Sequence, residues 1–362
     1  MVGSEEEEGV LSITKQQHTV DDESTGSQET STLRQHQHEQ QNDDYEFKGA
    51  SERKEPGIKP DAETEKDKAG KDTEDIFVVL GTLQMSPVYG DIDASIAKAD
   101  LILQKWSQSQ NDENLKLDLL VLPEMAFTGY QFRTRKDIEH LAEVAGKGPT
   151  FDWCQRVAST YGCSVSVGFP RLEPETGKLY NSIMLVNPSG QLHTTYDKHF
   201  LYISDKSWAS EGNGFLSTHC DWLGPNGTKV GLGICMDINP WEFKSAWSEF
   251  EFARFHSSQK SRIIAFSSAW CNRHPDDPTA SPVNGAETIN YWFARLSPLI
   301  HQKTIFVAAD RVGVEPMSHF RPDSEGDVTF CGSSCIIDMN EPELFCHMGT
   351  MDEGIVTARV RL

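Results

Sequence analysis

The chain has 362 residues and a formal net charge of −22, and it is 37% hydrophobic and 24% charged, a balance too polar for one ordinary globular domain. Residues 1–75 contain 21 Asp or Glu against 9 Lys or Arg, and their only aromatic residues are Tyr45 and Phe47. Such a segment buries too little apolar surface to offset the entropy lost on ordering. We therefore predict a disordered, acidic, Gln/Ser/Thr-rich tail over residues 1–75 and a folded domain over residues 76–362.

The sign of the charge also excludes some partners. A phosphate backbone is held by clustered Lys and Arg, whereas the longest charge run, Glu5–Glu8, is acidic, so we expect no nucleic-acid partner. No apolar run approaches the ~20 residues of a membrane-spanning helix, and the first residues lack the basic-then-apolar pattern of a signal peptide. We expect a soluble protein of the cytoplasm with no membrane partner, and leave the nucleus open as a second location.

The cysteines indicate neither a disulfide framework nor a zinc site. All eight follow residue 75, and none belongs to a CxxC pair. Disulfide frameworks are typical of short secreted chains, and zinc sites of closely spaced Cys and His ligands. We therefore expect reduced thiols and no bound metal.

From residue 76 onward, short apolar runs rich in β-branched residues alternate with segments that have apolar residues at helical spacing. The two patterns predict buried strands and amphipathic helices. The predicted strands cover residues 76–83, 117–122, 164–169, 182–186, 192–195, 229–234, 263–267, 304–308, 334–337 and 355–360. The predicted helices cover residues 92–106, 150–161, 243–255 and 286–300. This alternation predicts one layered α/β domain, with its ligand site beyond the carboxyl ends of the strands.

Three polar residues, Glu124, Lys198 and Cys235, each follow a predicted strand. Glu124 is placed for acid–base chemistry in a desolvated pocket, or else leaves its strand for solvent. Lys198 has aromatic and apolar neighbours, so it can stabilise an oxyanion or simply extend along apolar surface. Cys235 follows Gly-Leu-Gly-Ile, which indicates a tight strand-to-helix elbow that presents the thiol. Because a free thiol is only a few per cent ionised at pH 7, a nucleophilic Cys235 needs a base and a cation, which the other two residues supply.

The segments that carry these residues, LPEMAFTGYQF, YDKHFLY and GLGICMD, resemble in that order the Glu-Lys-Cys constellation of the nitrilase, or carbon–nitrogen hydrolase, superfamily. Glu211, in WASEG, matches the additional glutamate that this superfamily places between the lysine and the cysteine. The longer stretches HFLYISDKSWASEG and GICMDINPWEF are similar to those of the fungal protein N-terminal amidases. The resemblance covers nearly all of residues 76–362 and does not extend to the tail.

The superfamily resemblance implies a four-layer αββα sandwich, in which two β-sheets are packed between helices, and a thiol amidohydrolase that needs no cofactor. Glu124 is then the general base, and Cys235 is the nucleophile that forms a thioester. Lys198 and the backbone N–H of Met236 stabilise the oxyanion, and Glu211 orients Lys198 or the substrate amide. Superfamily members often pair through surface helices, so the resemblance leaves open whether the protein is a homodimer.

The narrower resemblance implies that the substrates are peptides and proteins with N-terminal Asn or Gln. Deamidation to Asp or Glu would release ammonia and create N-termini read by a degradation pathway. A free α-ammonium needs a carboxylate, and we expect it at Asp310, which stands where the superfamily usually has Asn. The alternative is that Asp310 pairs with Arg311 or with nearby backbone. Asp237 and Trp270 are further candidates for substrate binding, although Asp237 also suits capping of the helix after the elbow.

Two other functions are left open. A small-molecule (ω) amidase of the same superfamily would use the same chemistry on free amides, and a closed pocket would favour it. The second open function is that of an acidic interaction protein, in which the tail is the functional part and the domain is an inactive scaffold. The presence of the complete Glu-Lys-Cys set argues against the scaffold.

Overall fold

Apolar residues on both faces of the first strand explain why the fold has layers on either side of it. In β1 (Phe77–Gln84), Val78 and Leu80 belong to one core cluster, while Val79 and Leu83 belong to another. Successive side chains of a strand point to opposite faces, so β1 lies between two apolar layers. The structure, a computed structural model, describes residues 76–110, 117–272, 285–316 and 327–362. The predicted tail, residues 1–75, lies outside these ranges.

The first sheet is mixed and has six strands in the order β14-β1-β2-β3-β4-β5. Besides β1 it contains β2 (Leu119–Val121), β3 (Ser164–Leu172), β4 (Leu179–Val186), β5 (Leu192–Asp197) and β14 (Gly354–Arg361). β2 runs parallel to β1 and β3, whereas β14, β4 and β5 pair antiparallel with their neighbours. Parallel strands are typical of sheets that are covered on both faces.

The second sheet also has six strands, in the order β13-β12-β9-β8-β7-β6. It consists of β6 (Leu216–Cys220), β7 (Thr228–Ile234), β8 (Ile263–Ser268), β9 (Ile305–Asp310), β12 (Cys335–Asp338) and β13 (Glu343–His347). Its centre, β7, β8 and β9, is parallel. A separate hairpin of β10 (Val312–Pro316) and β11 (Asp327–Cys331) follows β9.

Five α-helices lie among the described residues: α1 (Ile92–Ser109), α2 (Arg135–Ile138), α3 (Pro149–Tyr161), α4 (Glu251–Gln259) and α5 (Ala286–Arg295). Buried residues of α1 and α3 pack on the outer face of the first sheet. Aromatic residues of α4 and α5 pack on the outer face of the second, with the Phe252 and Trp292 rings 6.1 and 5.8 Å from that of Phe266 in β8. The inner faces of both sheets share one apolar core. The layer order is helix, sheet, sheet, helix, which confirms the predicted αββα sandwich.

Helix α1 shows how local sequence supports this packing. Its buried residues recur every three or four positions and are Ser95, Ala99, Ile102, Leu103 and Trp106, which is the spacing of a one-sided helix. The carboxylate of Asp91 accepts a hydrogen bond from the N–H of Ala94 at 2.9 Å and caps the helix N-terminus.

The predicted helix over residues 243–255 starts too early, because only residues 251–255 of it belong to an α-helix. Two short 3₁₀ turns, Trp241–Phe243 and Trp247–Glu249, precede α4, which begins only at Glu251. Phe243 and Phe250 have φ values of 55° and 45°, and left-handed residues interrupt a right-handed helix. The predicted helix over residues 286–300 also ends early, at Arg295, because a proline at position 298 starts a separate turn.

Four strands were missed: β6, β10, β11 and β13. β6 and β13 are the two edges of the second sheet, and both are partly exposed. Edge strands keep polar residues on their open side, so they lack a continuous apolar run. β10 (VGVEP) and β11 (DVTFC) mix apolar with small or polar residues, so they also lack a continuous apolar run. No helix in the described part of the chain is long and apolar enough to cross a membrane.

Candidate active site

Glu124 is fully buried where the chain leaves β2. Its backbone packs tightly on β3, since a Cβ added to Gly168 would lie 2.6 Å from the Glu124 Cα. Its N–H donates to the Ser268 carbonyl, at 3.3 Å, at the end of β8 in the second sheet. Glu124 therefore lies where the carboxyl ends of β2 and β8 meet, as expected for a ligand site in a layered α/β domain.

Lys198 comes directly after β5 and is also fully buried. Its Nζ lies 2.7 Å from Glu124 Oε1 and 2.6 Å from Asp205 Oδ2, and 5.7 Å from the centre of the Tyr130 ring. Burial alone would lower the pKa of Lys198, but the charges of Asp205 and Glu124 outweigh it and raise the pKa above its usual value. The lysine is therefore an ammonium held between two carboxylates.

The same surroundings raise the pKa of Glu124, whereas a lysine at the surface lowers the pKa of a carboxyl group beside it. Burial raises the pKa of Glu124, and the nearby charge of Asp205 raises it further, although Lys198 and the Asn181 amide partly offset both. A carboxylate with a raised pKa holds a proton more readily than an exposed one does. Glu124 is therefore suited to take up a proton and return it.

Sequence reasoning missed Asp205 and Asn181. Asp205 opens the 3₁₀ turn Asp205–Ser207 and accepts a second hydrogen bond, from the N–H of Tyr202 at 2.9 Å. Asn181 is a buried amide in β4, and its Nδ2 donates to Glu124 Oε1 at 2.6 Å and to Asp205 Oδ1 at 3.0 Å. One signal was present for each: Asn181 interrupts an apolar strand, and Asp205 lies only seven residues beyond Lys198.

Of the two roles expected of Glu211, orienting Lys198 does not match the structure, and orienting the substrate amide stays a prediction. The Glu211 side chain is 52% exposed, and its Oε1 lies 3.5 Å from His199 Nδ1. The acid that contacts Lys198 besides Glu124 is Asp205, whose side chain is fully buried. The physical reason is that the chain is buried at Ser204 and Asp205, where the 3₁₀ turn begins, so the earlier acid reaches the ammonium while Glu211 stays near the surface.

Cys235 begins the 3₁₀ turn Cys235–Ile238 directly after β7, with a φ of 38°. Positive φ is costly for a residue with a Cβ, so this turn is strained in the way of a nucleophile elbow. Burial raises the pKa of Cys235 well above its usual value; the charge of Glu124 raises it further, while Lys198 and the N–H of Ala269 lower it. The structure thus brings the thiol within electrostatic reach of both charged residues, and it holds the thiol protonated at rest.

Gly233, two residues before Cys235, is required for a reason that the sequence pattern does not reveal. Gly233 faces α4, and a Cβ there would lie 2.4 Å from the ring of Phe252. Close approach of α4, rather than the turn itself, therefore demands glycine at this position.

Met236 and Asp237 occupy the turn after the nucleophile. Met236 is buried in the first turn of a 3₁₀ helix, where backbone N–H groups have no intrahelical acceptor. Asp237 is fully buried and accepts from Tyr196 Oη at 2.7 Å and from the N–H groups of Phe200 and Ile234, both at 2.8 Å. Asp237 therefore caps the turn through the N–H of Ile234, the role considered for it from the sequence, and it also ties the turn to the segment after Lys198.

Asp310 ends β9 and is fully buried. Its Oδ1 accepts from the N–H groups of Trp270 and Arg311 at 2.8 and 2.9 Å, and its Oδ2 has the Cys331 thiol at 3.9 Å. The Arg311 guanidinium pairs with Glu315 instead. The backbone pairing that was weighed for Asp310 is therefore present, whereas the pairing with the Arg311 side chain is not.

Burial raises the pKa of Asp310 well above its usual value, although the N–H groups of Trp270 and Arg311 partly offset it. The charge of Asp310 also raises the pKa of Cys235, so the two groups lie in one site. Trp270 is partly buried, and its ring packs 5.4 Å from that of Tyr291. Trp270 thus borders the site through the N–H that it gives to Asp310 and through a side chain packed on the core that contains Cys235.

The cysteines and potential metal ligands add no further centre. All eight cysteines lie in described ranges and are free thiols, as the sequence predicted. Across the described ranges, no group of three or more His, Cys, Asp or Glu side chains is arranged to hold a metal ion.

Known proteins share this architecture and these motifs. The family model for carbon-nitrogen hydrolases matches residues 80–362. The chain is 34% identical over 301 residues to a protein N-terminal amidase of Schizosaccharomyces pombe, an alignment that covers 78% of this chain and 99% of that one. It is 32% identical over 204 residues to a protein N-terminal amidase of Saccharomyces cerevisiae, covering 52% of this chain and 44% of that one.

Among solved structures, the fold is similar to the crystal structure of an N-terminal amidase with an Asn-Glu-Ala peptide. The TM-score is 0.69 at 20% identity, and the alignment covers 79% of this chain and 98% of that chain. The family model alone spans more than half of this sequence, and the buried Glu124, Lys198 and Cys235 fall within it. The chain belongs to the carbon-nitrogen hydrolase family.

Proposed function

We propose that this protein is a thiol amidohydrolase that converts N-terminal Asn and Gln of peptides and proteins to Asp and Glu. One observation carries the proposal: a buried Glu124–Lys198 pair and a strained Cys235 lie together in a chain that matches a protein N-terminal amidase over 99% of that relative's length. The buried pair and the cysteine supply the chemistry of amide hydrolysis, and the match to the relative indicates the class of substrate.

The reaction begins with a proton transfer. Because Cys235 is a thiol at rest, Glu124 takes its proton as the sulfur attacks the carbon of the side-chain carboxamide. Glu124 Oε1 is occupied by Lys198 and Asn181, while Oε2 has no hydrogen-bond partner within the described residues. Oε2 is therefore the oxygen available to the thiol proton.

Charge then develops on the carboxamide oxygen. Lys198 has three N–H donors, and Glu124 and Asp205 accept from two of them. The third donor, with the backbone N–H of Met236, stabilises the oxyanion. Each such donor typically lowers the barrier by about 3–4 kcal/mol.

The tetrahedral intermediate collapses when Glu124 returns its proton to the departing nitrogen. The C–N bond breaks, ammonia leaves, and the acyl group stays on Cys235 as a thioester. Glu124 then takes a proton from water as the water oxygen attacks the thioester carbon. The C–S bond breaks, the thiol regains its proton, and the new side chain is a carboxylic acid that ionises on release.

Asp310 is our candidate for holding the substrate's α-ammonium. A buried carboxylate is costly when ionised unless a cation or several donors compensate it. Backbone N–H groups bond its Oδ1, and the adjacent Arg311 is engaged with Glu315, so a cation brought by the substrate would complete the compensation. This pairing would select a free N-terminus over an acylated one.

The product carries a new acidic N-terminus. We infer that such products enter N-terminus-dependent protein degradation and that the enzyme acts in the cytoplasm, with the nucleus open as a second location. The substrate partner is thus a peptide or protein N-terminus, and the reaction requires no cofactor.

Ammonia release tests the proposal directly. Wild type is assayed on short peptides that begin with Asn or Gln, on their N-acetylated copies, and on free asparagine and glutamine, beside Cys235→Ala. We expect ammonia from the free-amine peptides alone and none with the variant. Release mainly from the free amino acids would instead assign a small-molecule amidase, and release from no substrate would return the scaffold interpretation.

A further inference from the structure

Asn181 contacts every charged member of the buried cluster formed by Glu124, Lys198 and Asp205. Its Nδ2 carries two N–H groups and donates to Glu124 Oε1 at 2.6 Å and Asp205 Oδ1 at 3.0 Å. Its backbone carbonyl accepts from the N–H of Lys198 at 2.8 Å. One residue therefore ties together the base, its cation and the second acid.

The occupancy of the carboxylate oxygens shows what this arrangement achieves. Asp205 Oδ2 accepts from Lys198 and from the N–H of Tyr202, and Asp205 Oδ1 accepts from Asn181. Glu124 Oε1 accepts from both Asn181 and Lys198. Of the four oxygens, Glu124 Oε2 alone has no partner within the described part of the chain. An unpaired buried acceptor is costly, and this one belongs to the residue proposed as the general base.

The backbone fixes Asn181 in this place. β4 pairs antiparallel with β3 and β5, so Asn181 is held from both sides, opposite Pro170 and next to the Ser182–Asp197 pair. Asn181 and Ile183 lie two residues apart and so point to the same face, where Ile183 belongs to the core between the sheets. A strand that is paired on both sides thus carries the amide to the cluster.

We propose that Asn181 is a positioning residue that holds Glu124 Oε1 on Lys198 and thereby reserves Oε2 for proton transfer to and from the substrate. Without the amide, the Glu124 carboxyl group can rotate, and its two oxygens compete for the lysine. This role rests on the proposed function in one respect, that Glu124 is the general base.

The test compares Asn181→Leu, which has the same branched shape and no donor, with Ser182→Ala. Ser182 is the next residue in β4, is equally buried, and donates to a carboxylate outside the cluster, Asp197 Oδ1, at 2.6 Å. It is therefore a control for the loss of a side-chain hydrogen bond from β4 to a carboxylate outside the cluster. Both variants and wild type are assayed on a Gln-starting peptide for kcat, KM and the pH dependence of kcat.

We expect Asn181→Leu to lower kcat by about 10–100-fold, a part of what general acid–base catalysis contributes, with KM within about twofold. Its acidic limb should move to higher pH, because losing a donor to the carboxylate raises the pKa of Glu124. Ser182→Ala should keep the wild-type profile. Asn181→Ser, which retains one donor, should fall between the two and serves if Asn181→Leu does not fold.

A purely structural role predicts a different result, in which kcat falls equally at every pH and the acidic limb stays in place. That result, or a kcat within twofold of wild type, would overturn the role of Asn181 while leaving the proposed function intact. Failure of wild type and Ser182→Ala to release ammonia from any N-terminal Asn or Gln peptide would overturn the proposed function, and this role with it.

Discussion

Lys198 Nζ lies 2.7 Å from Glu124 Oε1, and both side chains are completely buried. With Asp205 on the other side of the ammonium, the cluster contains one cation and two carboxylates. Buried charges are tolerated when they are paired and hydrogen-bonded, and removal of one partner leaves the others uncompensated.

Lys198→Ala is therefore expected to abolish turnover and to reduce the free energy of unfolding by about 3–5 kcal/mol near neutral pH. Without the ammonium, the pKa of Glu124 rises further above its unfolded value. A raised carboxyl pKa gives stability that is present at low pH and lost as the pH rises through it. Urea unfolding should show a larger deficit at pH 8 than at pH 5, and a deficit independent of pH would contradict the buried cluster.

Lys206→Ala is the matched control. Lys206 pairs with Glu242, but its side chain is 47% exposed. Its replacement should change stability little, without a rise in the deficit toward high pH.

Asp205→Asn and Glu211→Gln test which acid supports the lysine. Each is an isosteric loss of charge, one next to Lys198 and the other near His199. We expect Asp205→Asn to lower kcat by at least about 100-fold, because it changes the charge balance of the ammonium that stabilises the oxyanion. Glu211→Gln should stay within about threefold of wild type, since its carboxylate is largely in solvent. Equal losses in the two variants would restore the role first expected of Glu211.

The resting state of the nucleophile has a measurable signature. Because burial and the charge of Glu124 raise the pKa of Cys235, little thiolate exists at neutral pH. The rate of Cys235 alkylation by iodoacetamide, followed by peptide mass mapping, should be low at pH 7 and still rising at pH 9. A plateau below pH 7 would indicate a preformed thiolate and contradict proton transfer during attack.

Asp310→Asn separates stability from substrate recognition. The amide oxygen still accepts from the N–H groups of Trp270 and Arg311, while the buried charge is removed. Since burial raises the pKa of Asp310, ionisation costs stability as the pH rises through that pKa. The variant should therefore unfold at a higher temperature than wild type at pH 8, and this advantage should shrink at acidic pH.

The same variant should lose about 10–100-fold in kcat/KM on free-amine peptides, the range of one charge-assisted hydrogen bond. Steady-state kinetics on a Gln-starting peptide measures it. Unchanged kcat/KM would remove Asp310 as the residue that holds the α-ammonium.

The layered fold was predictable because its strands are buried on both sides. β1, β8 and β9 contain nearly continuous apolar runs, and the helices α1 and α3 carry a one-sided apolar pattern. The strands at the edges of the second sheet were missed, because half-exposed residues leave no such run. The helix before residue 251 was misplaced because its interruptions come from backbone conformations at Phe243 and Phe250, which composition does not reveal.

The candidate site also has one part that the sequence predicted and one part that it did not. Glu124, Lys198 and Cys235 follow buried strands, where the sequence alone indicates a shared crevice. Asp205 and Asn181 act through tertiary placement. Asp205 is buried at the start of a short turn, and Asn181 reaches the cluster from β4. Motif matching placed Glu211 beside the lysine, but only the path of the chain decides which acid reaches it.

The central claim, that Cys235 attacks the side-chain amide of an N-terminal residue, is tested most directly by intact-mass analysis after rapid mixing with a Gln-starting peptide and acid quench. The account predicts a transient adduct with the mass of the peptide less ammonia, mapped to Cys235 and absent from the Cys235→Ala variant. An adduct on another residue, or continued ammonia release by Cys235→Ala, would contradict it.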